Sequence, residues 1–315
     1  MDGERQPGVR RDYRRRGRGH HVGGIVGILL GFGLAAGIAW AVVGGSIGFG
    51  GSGSDATSEA DTSAVSTVPP KPVLRVVFPE GFTREQMAHR IRAVNRIAEE
   101  ERGIETSLGP PAYLSVTEGR AGREQLPEDF ERVRVPHLEG FLFPATYEFD
   151  EDTTSQQLVK LQLEAFERAW AQVDMEYARS KNLTPYDVLV IASMVEKEVQ
   201  VPRERALVAA VIYNRLKEGM PLGIDATIRY GLDIPPTQAI LQSQLDSDNP
   251  YNTRRFTGLP PTPIANPGLA ALQAAAHPED VNYLFFVRKP DCKSHFFTRS
   301  EQEFLEYTRE GLQCG

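Results

Sequence analysis

The segment IASMVEKEVQ, residues 191–200, places two carboxylates, Glu196 and Glu198, in an otherwise apolar stretch. A carboxyl group that is withdrawn from water favours its neutral form, so its pKa rises and it can donate a proton near neutral pH. Such a group acts as a general acid on a substrate oxygen and, once ionised, can accept a proton. The segment therefore predicts acid–base chemistry carried by a glutamate.

A helix has to position these glutamates, and its start is clearly marked. Thr184 is a suitable N-cap, Pro185 suits the first helical position, and Asp187 completes a capping box. At 100° per residue, the following apolar side chains gather on one side of the helix. These side chains are Val188, Ile191, Ala192, Val195 and Val199.

Glu196 falls on this apolar side, whereas Lys197 points nearly opposite, toward solvent, and Glu198 lies at the margin. Glu196 is therefore predicted to be the more enclosed carboxylate. Two interpretations are open. Glu196 is either a buried structural group paired with an arginine such as Arg203 or Arg205, or a desolvated acid poised for proton transfer.

The next two segments predict supporting structure. ERALVAAVIYNRLKEGM is apolar nearly all round, which indicates a buried helix that ends at Gly219. Asn214 is a polar side chain facing that interior, so it needs hydrogen-bond partners. PLGIDATIRYG then reads as short and β-like, with Asp225 and Thr227 alternating to one side.

A proline-rich loop follows in DNPYNTRRFTGLPPTPIANPG, residues 248–268. Loops of this length inside a domain tend to bind ligands. Tyr251, Asn252 and Thr253 offer aromatic, amide and hydroxyl groups, which suit a sugar polymer with apolar ring faces and many hydroxyls. The loop predicts a carbohydrate contact surface.

Charge is distributed unevenly along the chain of 315 residues, whose net charge is −7. Residues 1–21 contain seven arginines and three acidic residues, so they carry +4 and leave −11 for the rest. Nucleic-acid binding needs clustered Lys and Arg to neutralise phosphates. An acidic main body therefore disfavours DNA or RNA as a partner.

The arginines of residues 1–21 precede 22 uncharged residues, Val22 to Val43, which are long enough to cross a membrane. The positive-inside rule then predicts a cytoplasmic tail (1–21), a transmembrane helix (22–43) and an extracytoplasmic remainder. A cleaved signal peptide is the alternative, although its apolar region would be shorter. Residues 44–72 are rich in Gly, Ser, Thr and Pro, which predicts a flexible linker.

The exported part is predicted to hold a small accessory module (73–137) and a main domain (138–315). The module opens with a strand at Val73 to Phe78 and a helix capped by Thr83 and Gln86. Cys292 and Cys314, the two cysteines of the chain, could form one disulfide outside the membrane; their spacing fits no metal motif.

Seven stretches in the range 139–297 make the chain resemble the MltG-type (YceG-like) endolytic murein transglycosylases. They are EGFLFPATYEF, ASMVEKEV, VIYNRL, GMPLGIDATIRYG, PYNTRRFTGLPPTPIANPG, AAAHPEDVNYLFFV and HFF. The start VVFPEGFTREQMAHRI is similar to a LysM module, and the single span also fits. The chain departs from the family at Ala145, Gly223 and Ala226, where Asp, Gln and Pro are common, which puts single sugar contacts in doubt.

The resemblance implies an α+β fold with an N-terminal transmembrane helix, a LysM-like module and a mixed α/β catalytic domain. It implies cleavage of the β-1,4 bond between N-acetylmuramic acid and N-acetylglucosamine in peptidoglycan, without a cofactor or metal, and with 1,6-anhydro ends as products. Glu196 matches the family's catalytic glutamate. Partners would be glycan strands, the membrane and peptidoglycan synthases of the elongation or division machinery.

We expect five further residues to position the sugar and stabilise positive charge at its C1 atom. They are Asn214, Asp225, Thr227, Tyr251 and Asn252. His277 and His295 match family positions as well, and we assign both a structural hydrogen-bonding role.

The sequence is compatible with two other functions. Glu139 or Asp225 could serve as a second carboxylate, which would make the chain a muramidase-type hydrolase. A non-catalytic peptidoglycan-binding scaffold would also suit an anchor and a LysM-like module. The intact VEKE segment and the polar loop favour catalysis, because a scaffold needs neither.

Overall fold

The structure is a computed structural model that describes residues 71–118, 126–131 and 133–309. The strands are β1 (Leu74–Val77), β2 (Thr146–Phe149), β3 (Phe285–Arg288) and β4 (His295–Thr298). The helices are α1 (Arg84–Arg102), α2 (Pro110–Thr117), α3 (Ser155–Trp170), α4 (Glu176–Ser180), α5 (Pro185–Glu198), α6 (Arg205–Glu218), α7 (Asp225–Gly231), α8 (Gln242–Leu245), α9 (Leu269–Ala276) and α10 (Glu301–Arg309).

The described residues form a mixed α+β fold, as predicted, with two separate two-stranded antiparallel sheets. The predicted cytoplasmic tail, the predicted membrane span at 22–43 and nearly all of the predicted linker lie outside these residues. Among the helices that are described, none has the length and apolar character to cross a membrane.

Strand β1 pairs with β2 over the whole length of both, from Leu74 opposite Phe149 to Val77 opposite Thr146. Alternate side chains of both strands are buried, which is the period-two pattern of a sheet with one face on the core. The partner strand lies beyond residue 138, and α2 packs on α3. The predicted boundary between residues 137 and 138 therefore falls inside a continuous hydrophobic core.

Helix α5 begins as predicted. The Thr184 side chain accepts the Asp187 N–H, the Asp187 carboxylate accepts the Thr184 N–H, and Pro185 occupies the first turn. Every side chain from Val188 to Val195 is buried, and both α6 and α9 pack on α5. This packing holds α5 in place up to its last turn, where Glu196 lies.

Helix α6 is also confirmed. Its residues Val208 to Tyr213 are buried, and it ends at Gly219 in the left-handed conformation, with φ at 66°. That conformation is inexpensive only for glycine, which explains the sharp end of the helix.

The segment with Asp225 and Thr227 is helix α7, so the β-like prediction for it was wrong. Thr227 and Ile228 are β-branched and favour strands in isolation. Here the Thr227 hydroxyl donates to the Ile224 carbonyl at 2.7 Å and closes a helical turn. Asp225 occupies the first position of α7, where a negative charge is favourable.

Candidate active site

Glu196 lies in the last turn of α5 and is half-buried. Its Oε2 atom accepts the backbone N–H of Gly268, the residue before α9, at 3.1 Å. Burial raises the pKa of the Glu196 carboxyl group, and the negative charge of Glu80 raises it further. The Gly268 N–H, Arg205 and Lys197 act in the opposite direction but do not cancel the effect of burial.

The alternative of a structural ion pair finds no support in the geometry. Within residues 71–118, 126–131 and 133–309, Glu196 forms no ion pair with Arg203, Arg205 or any other cation. The Oε1 atom of Glu196 accepts no hydrogen bond from these residues, so it is available to a ligand. A carboxyl group with one oxygen anchored and the other not hydrogen-bonded by the protein is suited to proton transfer.

Lys197 does not point into solvent, so this prediction was wrong. Its side chain is half-buried, and its Nζ atom donates to the Gly81 carbonyl at 3.2 Å. Burial lowers the pKa of Lys197, while the charges of Glu139, Glu196 and Glu198 raise it. A helical wheel could not show this, because the turn that covers Lys197 lies 116 residues earlier in the chain.

Glu198 is also half-buried, but its surroundings differ from those of Glu196. It faces the start of α7, where the Ala226 N–H donates to it, and it interacts with Arg288 and Asp225. Burial raises the pKa of Glu198, and the Arg288 charge lowers it. The prediction that Glu196 is the more enclosed of the two is therefore not confirmed, and the two glutamates differ in their neighbours rather than in their exposure.

Glu139 is a third carboxylate and is fully buried, at 1% exposure. It accepts hydrogen bonds from the Arg84 N–H at 3.0 Å, from Asn266 Nδ2 at 2.6 Å and from the Tyr230 hydroxyl at 3.3 Å. Burial outweighs these donors and raises the pKa of Glu139 to about 8. Glu139 is therefore predominantly protonated at neutral pH.

Three of the five predicted sugar contacts are engaged inside the protein. Asn214 donates to the Val281 and Tyr283 carbonyls, both at 2.9 Å. Thr227 is buried and also shares a 2.9 Å hydrogen bond with the Thr253 hydroxyl.

Asn252 is fully buried and donates to the Leu245 and Ser247 carbonyls at 2.8 and 2.9 Å. These bonds fix the start of the loop that was predicted to bind sugar. Asn214, Thr227 and Asn252 accordingly hold backbone segments in place, and their amide and hydroxyl groups are largely used up.

The other two predicted contacts remain open to solvent in part. Asp225 pairs with Arg254 at 2.5 Å, and both side chains are nearly half exposed. Tyr251 shares a 2.7 Å hydrogen bond with the Thr262 hydroxyl, and its ring lies 5.2 Å from that of Tyr230. Tyr230 also contacts Glu139, so an aromatic pair links the loop to the buried carboxylate.

Sequence reasoning missed Glu80, Gly268 and Asn266. Asn266 is fully buried, and its Oδ1 atom accepts the N–H groups of Gly140 and Leu142 while its Nδ2 atom donates to Phe82 and Glu139. The sequence offered only weak signals, namely a glycine in the NPG triplet at 266–268 and a turn at residues 79–81.

The two histidines have different environments. His295 is buried, and its Nδ1 atom lies 2.7 Å from Glu204 Oε2, which agrees with the structural role expected of it. His277 is exposed, and its ring lies 5.4 Å from that of Tyr177. Cys292 lies in the β3–β4 turn, whereas Cys314 is outside the described residues, so the disulfide stays a prediction.

Comparison with known proteins places this arrangement in a family. The model of the YceG-like family matches residues 56–310. The chain belongs to the YceG-like family. A crystal structure of a yceG-like protein from Listeria monocytogenes superposes with a TM-score of 0.62 at 28% identity, covering 74% of this chain and 75% of that one.

Two curated relatives carry the name endolytic murein transglycosylase. The protein from Bacillus subtilis (strain 168) is 37% identical over 167 residues, which are 53% of this chain and 46% of the relative. The protein from Streptococcus pneumoniae (strain ATCC BAA-255 / R6) is 34% identical over 233 residues, or 70% of this chain and 41% of the relative. The matched segments thus span less than half the length of these relatives.

Proposed function

We propose that this protein is a lytic transglycosylase that cleaves the β-1,4 bond between N-acetylmuramic acid and N-acetylglucosamine within peptidoglycan glycan strands. The observation that carries the proposal is Glu196, a half-buried carboxyl group with a raised pKa, whose Oε2 atom is anchored by the Gly268 N–H and whose Oε1 atom accepts no hydrogen bond from the described residues. Membership of the YceG-like family and the names of the relatives support it.

Glu196 would act twice. Because Oε2 accepts the Gly268 N–H, the acidic proton is placed on Oε1, from which it passes to the glycosidic oxygen as the bond to C1 breaks. The resulting carboxylate then accepts the proton of the muramic C6 hydroxyl, whose oxygen bonds to C1. No water is consumed, Glu196 returns to its acid form, and the product ends in 1,6-anhydro-N-acetylmuramic acid.

Glu139 suits a supporting role better than that of a second catalytic carboxylate. Its hydrogen bonds all run to the protein interior, and its pKa of about 8 keeps it mostly neutral. Tyr251, Tyr230 and the Asp225–Arg254 pair keep partly exposed groups that can contact sugar rings and hydroxyls. A glycan strand would then run from Glu196 along the loop of residues 248–268.

The anchor and the module belong to the same proposal. We place residues 22–43 in the cell membrane as a single pass, with residues 1–21 in the cytoplasm and the catalytic domain outside. LysM-like glycan binding is assigned to the unit made by β1, α1, α2 and β2, a strand–helix–helix–strand arrangement. Peptidoglycan synthases of the elongation or division machinery are the proposed protein partners.

The decisive experiment digests purified glycan strands with the full-length protein and determines product masses. The proposal expects 1,6-anhydro ends, which are lighter by one water than reducing ends. Reducing ends would instead identify a muramidase-type hydrolase, and intact strands would favour the scaffold. For the topology, a reporter fused at Gly315 is expected to be active only outside the cytoplasm; activity inside would contradict the anchor.

A further inference from the structure

Glu80 lies in the turn between β1 and α1 and is exposed to solvent. Its carboxyl group lies against the Cα atom of Gly268, so close that a Cβ atom on Gly268 would overlap it. Gly268 is also the residue whose N–H donates to Glu196. Two carboxylates from distant parts of the chain therefore meet at one glycine.

The position of Glu80 is fixed by backbone hydrogen bonds on its C-terminal side. The Gly81 N–H donates to the Asn266 carbonyl, and the Asn266 N–H donates to the Phe82 carbonyl, both at 2.9 Å. Gly81 has φ at 77°, a conformation that favours glycine, and a Cβ atom there would lie 3.5 Å from Glu196 Cγ. The turn is thus locked against the loop that holds Gly268.

Glu80 has no partner that would explain its place as structural. Among the described residues it forms neither an ion pair nor a side-chain hydrogen bond, although arginines are frequent on α1 beside it. A negative charge placed next to another carboxyl group is unfavourable unless that group is neutral. The arrangement is therefore consistent with a Glu196 that carries its proton in the resting protein.

We propose that Glu80 is a positioning residue of the active site, which acts through Glu196 by holding it in the acid form before cleavage and strengthening it as a base afterwards. The role in cleavage rests on the proposed function. Its charge would keep Glu196 protonated until the glycosidic oxygen is in place and would favour the second proton transfer, since ionised Glu196 next to Glu80 regains a proton readily. The β1–α1 turn would then form part of the active site, in addition to any glycan binding by the unit made of β1, α1, α2 and β2.

The other charges near Glu196 do not account for its raised pKa. Arg205 and Lys197 are cations and lower the pKa, as does the Gly268 N–H. Burial is the largest cause of the rise, and the charge of Glu80 adds to it. Removal of the Glu80 charge is accordingly expected to lower the pKa of Glu196 without disturbing the core.

The test is a ¹³C NMR titration of glutamate carboxyl carbons in the full-length protein, which needs no enzymatic turnover. The Glu196 signal is identified by its absence in the Glu196→Gln variant. In Glu80→Gln the titration of Glu196 is expected to move to lower pH, whereas Glu100→Gln, which removes another exposed charge farther along on α1, should leave it in place. An unchanged titration in Glu80→Gln would overturn the inference.

Gly268→Ala provides an independent variant. Gly268 has φ at −80°, so alanine introduces no backbone strain, but its Cβ atom must displace the Glu80 carboxyl group. The Glu196 titration should move in the same direction as in Glu80→Gln, and the double variant should show no further movement. Fully additive movements would mean that the two residues act separately, which contradicts the proposal.

Kinetics separate this inference from the proposed function. If Glu196 is the acid, kcat/KM falls as the pH rises through its pKa, and in Glu80→Gln this fall should begin at lower pH. A wild-type protein without anhydro products would refute the transglycosylase, while the NMR titration would still decide the role of Glu80. Wild-type products with an unshifted pH profile in Glu80→Gln would refute the role of Glu80 alone.

Discussion

The surroundings of Glu139 and Glu196 differ in how fully each carboxyl group is satisfied. Glu139 is enclosed and accepts hydrogen bonds from a backbone N–H, an amide and a phenol. Glu196 accepts one N–H on Oε2, and its Oε1 atom accepts no hydrogen bond from the described residues. Burial raises the pKa of both groups, so a raised pKa alone does not separate a structural acid from a functional one. The unused oxygen of Glu196 makes the distinction.

Replacing Glu196, the functional carboxyl group of the two, should have the largest effect on activity. Glu196→Gln keeps the size of the side chain and an acceptor for the Gly268 N–H but removes the transferable proton. We expect cleavage of glycan strands to fall by at least the ~10²–10⁴-fold that general acid–base catalysis contributes. The thermal midpoint should be equal to or above that of the wild type, because a partly desolvated carboxylate is lost. Retained activity in this variant would reassign the acid.

Replacing Glu139, the structural carboxyl group, should mainly lower the stability of the fold. Glu139→Ala leaves the Arg84 N–H, the Asn266 amide and the Tyr230 hydroxyl without their acceptor in the interior. We expect a loss of about 2–4 kcal/mol in the free energy of unfolding, measured with urea. Glu148→Ala, an exposed glutamate paired with Arg75, is the matched control and should cost less than about 1 kcal/mol. Equal losses in both variants would contradict the network.

The stability of the protein should depend on pH through Glu139. Glu139 has a pKa of about 8 in the folded protein and an ordinary value of 4.5, so between these values the unfolded chain releases a proton that the folded protein retains. Its contribution to stability therefore decreases as the pH rises from about 4.5 to 8 and is constant above. Glu139→Gln cannot titrate, so its stability relative to the wild type should increase from pH 5 to pH 8 in urea denaturation. A constant difference would mean that Glu139 is ionised in the folded protein.

The sequence predicted the parts of this site that depend on local periodicity and capping. The start of α5 at Thr184 and the end of α6 at Gly219 follow from short-range rules, and both are observed. The helical wheel did not separate the side chains that follow, because Glu196, Lys197 and Glu198 are all half-buried. The strand prediction at Asp225 failed, because the bond from Thr227 to the Ile224 carbonyl closes a helical turn there.

What could not be predicted are contacts between distant segments. Lys197 was assigned to solvent because its cover, the turn around Gly81, is far away in sequence. Glu80 and Asn266 were missed for the same reason. Asn252 and Thr227 were assigned to sugar, since a sequence does not reveal whether the protein itself uses their polar atoms.

Asn252 tests whether a loop side chain whose amide is already hydrogen-bonded inside the protein has an effect on activity. Asn252→Ala leaves the Leu245 and Ser247 carbonyls without their donor, which should lower the free energy of unfolding by about 1–3 kcal/mol. Because the amide is buried, we expect a change in KM for glycan strands through loss of loop order, with little change in kcat. A drop in kcat at unchanged KM and stability would instead place Asn252 at the reacting atoms.

The smallest effect is expected at Glu198, the glutamate two residues from Glu196 on the same helix. Its carboxyl group faces Ala226, Arg288 and Asp225 at the start of α7 rather than Gly268 and Glu80. Glu198→Gln keeps an acceptor for the Ala226 N–H, so kcat for glycan cleavage should fall by less than about tenfold, below the range of acid–base catalysis. The alkaline limb of the pH profile should also stay in place, in contrast to Glu80→Gln. A loss of kcat in Glu198→Gln as large as that in Glu196→Gln would mean that both glutamates of α5 take part in proton transfer. An oxygen without a hydrogen bond from the protein would then not be enough to identify the catalytic acid.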